Sequence, residues 1–236
     1  MSCNSSRELA DSIVEAAGEQ YKKVTSDAKF IQAVGDGSIS TAQFNRWLSE
    51  DYYFVVVTIK AVSALLVFLP SESTKTLIAA LGAFSEELSF FRQHIKEKDL
   101  KDLPAGDLDQ TNVRAEVSND SPLKDYNSHT EEITTKALSG NPRDVWRLLV
   151  FHYMAERCYY DAWASVANPP PAYQEFVTRW ASDAFKAYIE RLERIVLLYY
   201  NQLKTDIPET DLLHVSQDES RYVVQAEDDF WNYCMS

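Results

Sequence analysis

Three carboxylates fall inside apolar stripes of the sequence, and their spacing determines the chemistry open to them. On an α-helix, residues three, four and seven apart share a face. Phe44, Trp47/Leu48, Asp51, Val55 and Thr58 form one such stripe, which sets Asp51 between an aromatic turn and an aliphatic one. Leu149, His152, Glu156, Tyr160 and Trp163 form a second, and Val223, Glu227, Phe230/Trp231 and Cys234 a third. Burying an unpaired ionised carboxylate is costly, and a single case is explained by a structural Tyr or Arg partner. Three acids on three helices point instead to a pocket, because helical bundles build ligand sites from facing side chains. A cleft of acids and rings without a phosphate cradle suits a small, flat, nitrogen-rich ligand. Its amino groups donate to carboxylates and its ring stacks on aromatics, and an aminopyrimidine has that character.

The elements that must position these acids are helices. Only six glycines and thirteen tyrosines, with long stretches free of proline, predict an all-α, single-domain helical bundle spanning 1–236. The first helix is expected from about Ser6 to Thr25, followed by a turn around Gly35-Asp36-Gly37. Ser40 with Gln43 forms a capping box for a second helix that Pro70 stops. A third, about Ser73 to Glu97, carries Leu77, Ile78, Leu81, Phe84, Leu88 and Phe91, and a loop follows through Pro104 and Gly106. Further helices are expected over Ser121 to Leu138, from Asn141-Pro142 to about Val166, over Ala172 to Lys204, and from about Ser216 to Tyr233. Pro169-Pro170-Pro171 is a rigid break, and Gln217 to Glu219 resembles an acidic first turn.

Composition narrows the partners. A net charge of −13 repels phosphate backbones and anionic headgroups, so neither nucleic acid nor membrane is an expected partner. The opening MSCNSSRELADS lacks an apolar signal core, and Thr58, Lys60 and Ser63 interrupt the longest apolar stretch, from Val55 to Pro70. Cys3, Cys158 and Cys234 are scattered without CxxC spacing, which fits a reducing, cytoplasmic location.

The stretch Phe44-Asn45-Arg46-Trp47-Leu48-Ser49-Glu50-Asp51-Tyr52-Tyr53-Phe54 resembles the F-x-x-W-x-x-Q-D-Y-x-aromatic signature of the TenA (thiaminase II) family, with Glu50 in place of Gln. Glu227-Asp228-Asp229-Phe230-Trp231 is similar to the family's terminal E-x-x-F-W, and Arg179 to Phe185 resembles the segment supplying a ring-stacking aromatic. The resemblance implies a haem-oxygenase-like fold, action on the pyrimidine part of thiamin breakdown products, no cofactor, and a homo-oligomer, dimer or tetramer. It also implies roles. Asp51 would accept from the exocyclic amine, and Glu227 would bond a ring nitrogen and act as the principal acid/base group. Trp180 would stack, with Phe54, Tyr160, Tyr126 and Phe230 lining the pocket. Tyr159 and Tyr199-Tyr200 would serve subunit contacts.

Glu156 stands where the cysteine-bearing branch has its nucleophile. Cys158 does not replace it, because two residues along a helix turn it by about 200° from that face. Without a thiolate, water must attack, with the acid cluster polarising it and protonating a leaving nitrogen. The expected reactions are deamination of an aminomethyl pyrimidine and hydrolysis of its N-formyl derivative. Rival readings are a carboxylate-bridged metal oxidase using His152 and Glu156, or a pyrimidine-binding protein without turnover. No Glu-x-x-His occurs, and no histidine precedes His94 to serve as an early haem ligand.

Overall fold

Ser40 caps the helix that carries the first acid: its Oγ accepts from the Gln43 N–H, and the Gln43 side chain accepts in return from the Ser40 N–H. That helix, α4 (Thr41–Phe68), is the centre of the fold. The computed structural model describes residues 3–100 and 117–236, and side chains from residue 8 onward. The expected loop through Pro104 and Gly106 lies outside the described residues. Before α4 come α1 (Cys3–Glu15), α2 (Glu19–Val24) and α3 (Lys29–Asp36); after it come α5 (Ser71–Glu97), α6 (Leu123–Ala137), α7 (Pro142–Ala164), α8 (Gln174–Trp180), α9 (Asp183–Leu203) and α10 (Glu209–Met235). No strand occurs among the described residues.

Several boundaries differ from the sequence expectation. The first helix breaks at Gly18, whose φ of 58° cannot continue a right-handed helix, and α3 occupies the lead-in to the turn at Gly37. The single helix expected over Ala172 to Lys204 is two, because Ser182 accepts from the Phe185 N–H and caps a new start. The last helix begins at Glu209, directly after Pro208, so Gln217 to Glu219 sit well inside it. Glu219 is no solvated first turn: it is buried and holds both Arg147 and His129. In α5 the inward face is Leu77, Ala80, Phe84, Leu88 and Phe91, whereas Ile78 is 56% exposed. As expected, Asn141 caps α7 through the Arg143 N–H, with Pro142 in the first turn.

α4 packs along α5, α6 and α7, and α7 in turn lies against α6, α9 and α10. The most apolar 18-residue window of α4 has a mean hydropathy of 1.7, and 61% of it is buried against these neighbours, so its apolar character belongs to a core helix. Aromatic rings fill the centre. Trp47 contacts Phe44, Phe91, Trp163, Phe176 and Trp180 at centroid distances of 5.0 to 6.0 Å. Edge-on and tilted geometries dominate these contacts, as ring quadrupoles favour.

Candidate active site

α4, α5, α7 and α9 do not fill the space between them. Their facing positions carry Ala79, Ala80, Ala83, Ala155 and Ala184, and what these small side chains leave open is a cavity of about 480 Å³. Asp51 enters it from α4, Glu87 from α5 and Glu156 from α7. Phe54, Phe84, Tyr159, Trp180, Phe185 and Tyr188 supply its rings, and Arg179 and Arg191 its positive charge.

The three acids are partnered differently. The Tyr159 hydroxyl donates to Asp51 Oδ2 at 2.7 Å, and the Trp180 indole N–H donates to Glu87 Oε1 at 2.6 Å. Glu156 is only 7% exposed, yet among the described residues it receives no hydrogen bond. Its nearest ring nitrogen, His152 Nδ1, is 3.8 Å away, while His152 Nε2 lies 2.7 Å from the Tyr188 hydroxyl. Burial holds the His152 imidazole down to about 3, so it is neutral at physiological pH.

Burial raises every acid of the set. It pushes Asp51 well above the usual carboxylate range, against the Tyr159 hydrogen bond, and the charges of Glu87 and Glu227 add to the rise. It does the same for Glu156, reinforced by Glu87, Asp51 and Glu227 in that order. Glu87 is raised by burial and pulled back by the Trp180 donor and the nearby Arg179. Glu227 stands outside the cavity lining. It is buried, accepts from the Tyr126 hydroxyl at 3.0 Å, and is pushed up by burial to about 7. The Tyr126 ring rests on Phe54, a lining residue, at 4.9 Å, so Glu227 lies one side-chain layer behind the wall.

The profile of the TENA/THI-4/PQQC family matches residues 15–236. The chain belongs to this family. A relative in Glycine max, named "Probable bifunctional TENA-E protein", is 23% identical over 213 residues, covering 86% of this chain and 82% of that protein. The TenA homologue from Pyrococcus furiosus shares the fold with a TM-score of 0.76 at 21% identity, covering 95% of this chain and 98% of its own. A TenA homologue from Pyrococcus horikoshii gives 0.71 at 15% identity, with 95% and 97% covered. A Silicibacter structure described as a TenA family transcription regulator gives 0.67 at 15% identity, with 98% and 96% covered.

Within this TENA/THI-4/PQQC chain, the cavity brings together Asp51, Phe54, Glu156 and Trp180 from the residues singled out by sequence. Tyr126 joins Glu227 behind it, and Phe230 packs buried against Trp231 at 5.8 Å. Tyr160 does not line the cavity; it meets Phe185 edge-on at 5.6 Å, and the hydroxyl that reaches the acids is that of Tyr159. Tyr159 is thus occupied inside the chain, as is buried Tyr200, which donates to Glu209. Cys158 and Cys234 are buried free thiols outside the lining, each pushed well above the usual thiol range by burial. Among the described residues, no three His, Cys, Asp or Glu side chains converge as metal ligands would.

Sequence reasoning missed Glu87 and Tyr188, and it gave Tyr159 to a subunit contact rather than to the site. Glu87 stands three residues after Phe84 and four before Phe91, which is the spacing of the apolar face itself. Tyr159 stands three after Glu156 and seven after His152, closer to their common line than Tyr160.

Proposed function

We propose that this chain is a hydrolase of thiamin-derived aminopyrimidines, from the branch of its family that carries glutamate in place of the nucleophilic cysteine. The observation that carries the reading is Glu156: a buried carboxyl that faces a ring-lined cavity with no donor to satisfy it among the described residues. Such a group is completed by a ligand that donates hydrogen bonds or brings positive charge.

Burial by itself favours the protonated form of Asp51 and Glu156. A ligand bearing amino groups reverses that preference, because an adjacent cation or donor favours the carboxylate. Asp51, steadied by Tyr159, accepts from the ring amine, while the Trp180 and Phe54 rings cover the heterocycle. Glu156, once ionised, takes a proton from water as it attacks. Glu227, with a carboxyl titrating near neutrality, supplies the proton reserve behind Tyr126. For the aminomethyl pyrimidine, the carbon–nitrogen bond breaks as the carbon–oxygen bond forms, giving the hydroxymethyl pyrimidine and ammonium. For the N-formyl derivative, water adds to the formyl carbon and the amide bond breaks, giving formate and the aminomethyl pyrimidine. Two hydrolyses in one cavity suit the word bifunctional in the name of the Glycine max relative. Gene regulation, suggested by the name of the Silicibacter structure, is poorly supported at a net charge of −13.

The test is release of ammonia and formate, with products identified by mass spectrometry, from thiamin, the aminomethyl pyrimidine and its N-formyl derivative. Hydrolysis of either pyrimidine is expected, with Glu156→Gln reducing turnover by roughly 10²-fold or more. No turnover of either, or full turnover by Glu156→Gln, overturns the reading.

A further inference from the structure

Glu87 has no role in any reading of the sequence, yet it lines the cavity. Its Oε1 is taken by the Trp180 indole, and no other donor among the described residues reaches it, so Oε2 is free for a ligand. Of the charges acting on Glu156, that of Glu87 is the largest, ahead of Asp51 and Glu227. Glu87 from α5 and Glu156 from α7 line one cavity, and Asp51 enters the same space from α4. Carboxyls that share a cavity repel when ionised together and are relieved by a cation between them.

Of Glu87 and Glu156, Glu87 is the better suited to carry the negative charge. The indole donor and the Arg179 guanidinium both favour its ionised form, and Glu156 has neither. Arg179 is held over the Phe90 ring, 4.6 Å from its centroid, and among the described residues it has no ion pair of its own.

We propose that Glu87 is a specificity-determining residue that binds the leaving ammonium of the aminomethyl substrate and so selects the charged amine over its neutral hydroxymethyl counterpart. The assignment rests on the aminopyrimidine reading above. Glu87 shares the cavity lining with Glu156 and keeps one oxygen unbonded among the described residues for a charged substituent, whereas Asp51 is engaged with Tyr159. Trp180 thereby does two jobs: its ring covers the heterocycle and its N–H holds the carboxylate that reads the substituent.

Calorimetric binding of the aminomethyl pyrimidine and of the neutral hydroxymethyl pyrimidine, to the whole chain and to Glu87→Gln, tests this. The amide keeps an oxygen for Trp180 and removes only the charge. Affinity for the amine is expected to fall about tenfold or more, and affinity for the alcohol to change by less than about twofold. Trp180→Phe adds a second readout. Loss of the indole donor raises the pH at which Glu87 ionises, so the rise of amine affinity with pH is expected to move to higher pH in that variant. Equal loss for both ligands in Glu87→Gln, or no loss for either, overturns the selective role while leaving the hydrolase reading standing. Failure of the unaltered chain to bind either pyrimidine overturns both.

Discussion

Glu227→Gln should make the protein more stable in mild alkali while weakening its chemistry. The Glu227 carboxyl titrates near 7 in the folded chain against an ordinary value of 4.5, because burial disfavours its charge. Below about 4.5 it is protonated in both folded and unfolded chains and lends no pH dependence. Between about 4.5 and 7 the unfolded chain has released the proton and the folded chain keeps it, so stability falls as pH rises, and above 7 the loss is complete. At about 1.4 kcal/mol for each pH unit, the 2.5-unit interval costs about 3 kcal/mol. Glutamine carries no charge to bury and removes that fall. Its absence also relieves Asp51 and Glu156, both of which feel the Glu227 charge, and this acts in the same direction. Urea unfolding of both chains at intervals from pH 4.5 to 8.5 measures the effect. Unaltered protein should lose about 3 kcal/mol more than the variant across that range. Parallel curves would refute the inference that Glu227 is buried without charge compensation.

The remaining expectations concern single side chains. Tyr159→Phe leaves the buried Asp51 without its donor, so stability should drop by about 1–3 kcal/mol, and the acid limb of the turnover profile should move to higher pH. An unchanged profile would detach Tyr159 from the site. Cys158→Ala should keep turnover within about twofold, because the thiol is protonated, buried and outside the cavity. A large loss would restore the case for thiol chemistry. Trp47→Ala should cost about 3–5 kcal/mol by urea unfolding, since it removes the ring that six others pack upon.

What the sequence made legible follows from local rules. The capping box at Ser40, the cap and proline at Asn141-Pro142, and the three acids in apolar stripes all depend on residues within a few turns of one another. Glu87 obeyed the same spacing but stood beside Glu86 and between two serines, where a carboxylate resembles the solvated face of a helix. Its partner is the Trp180 indole, ninety-three residues away, and no local pattern contains that contact. Tyr159 and Tyr160 differ by about 100° around one helix, and the stripe drawn through His152, Glu156 and Trp163 takes Tyr160 on four-residue spacing from Glu156. His152 and Trp163 decide for Tyr159, whose ring lies 6.1 Å from that of Trp163 and whose hydroxyl reaches Asp51.

The break at Ser182 shows why a boundary of one or two residues matters to function. On one continuous helix, Trp180 and Phe185 would lie five residues apart, about 140° around the axis, and could not both face one narrow cavity. Ending α8 at Trp180 and restarting at a Ser182 cap frees the two directions. Trp180 then turns its N–H onto Glu87, while Phe185, Tyr188 and Arg191 follow at three-residue spacing along the wall of α9. A sequence reading that runs the helix through this point keeps every residue and loses the site's geometry. The Ser182 hydroxyl, 3.2 Å from the Phe185 N–H, is a small local contact on which the placement of both the stacking ring and its partner acid depends.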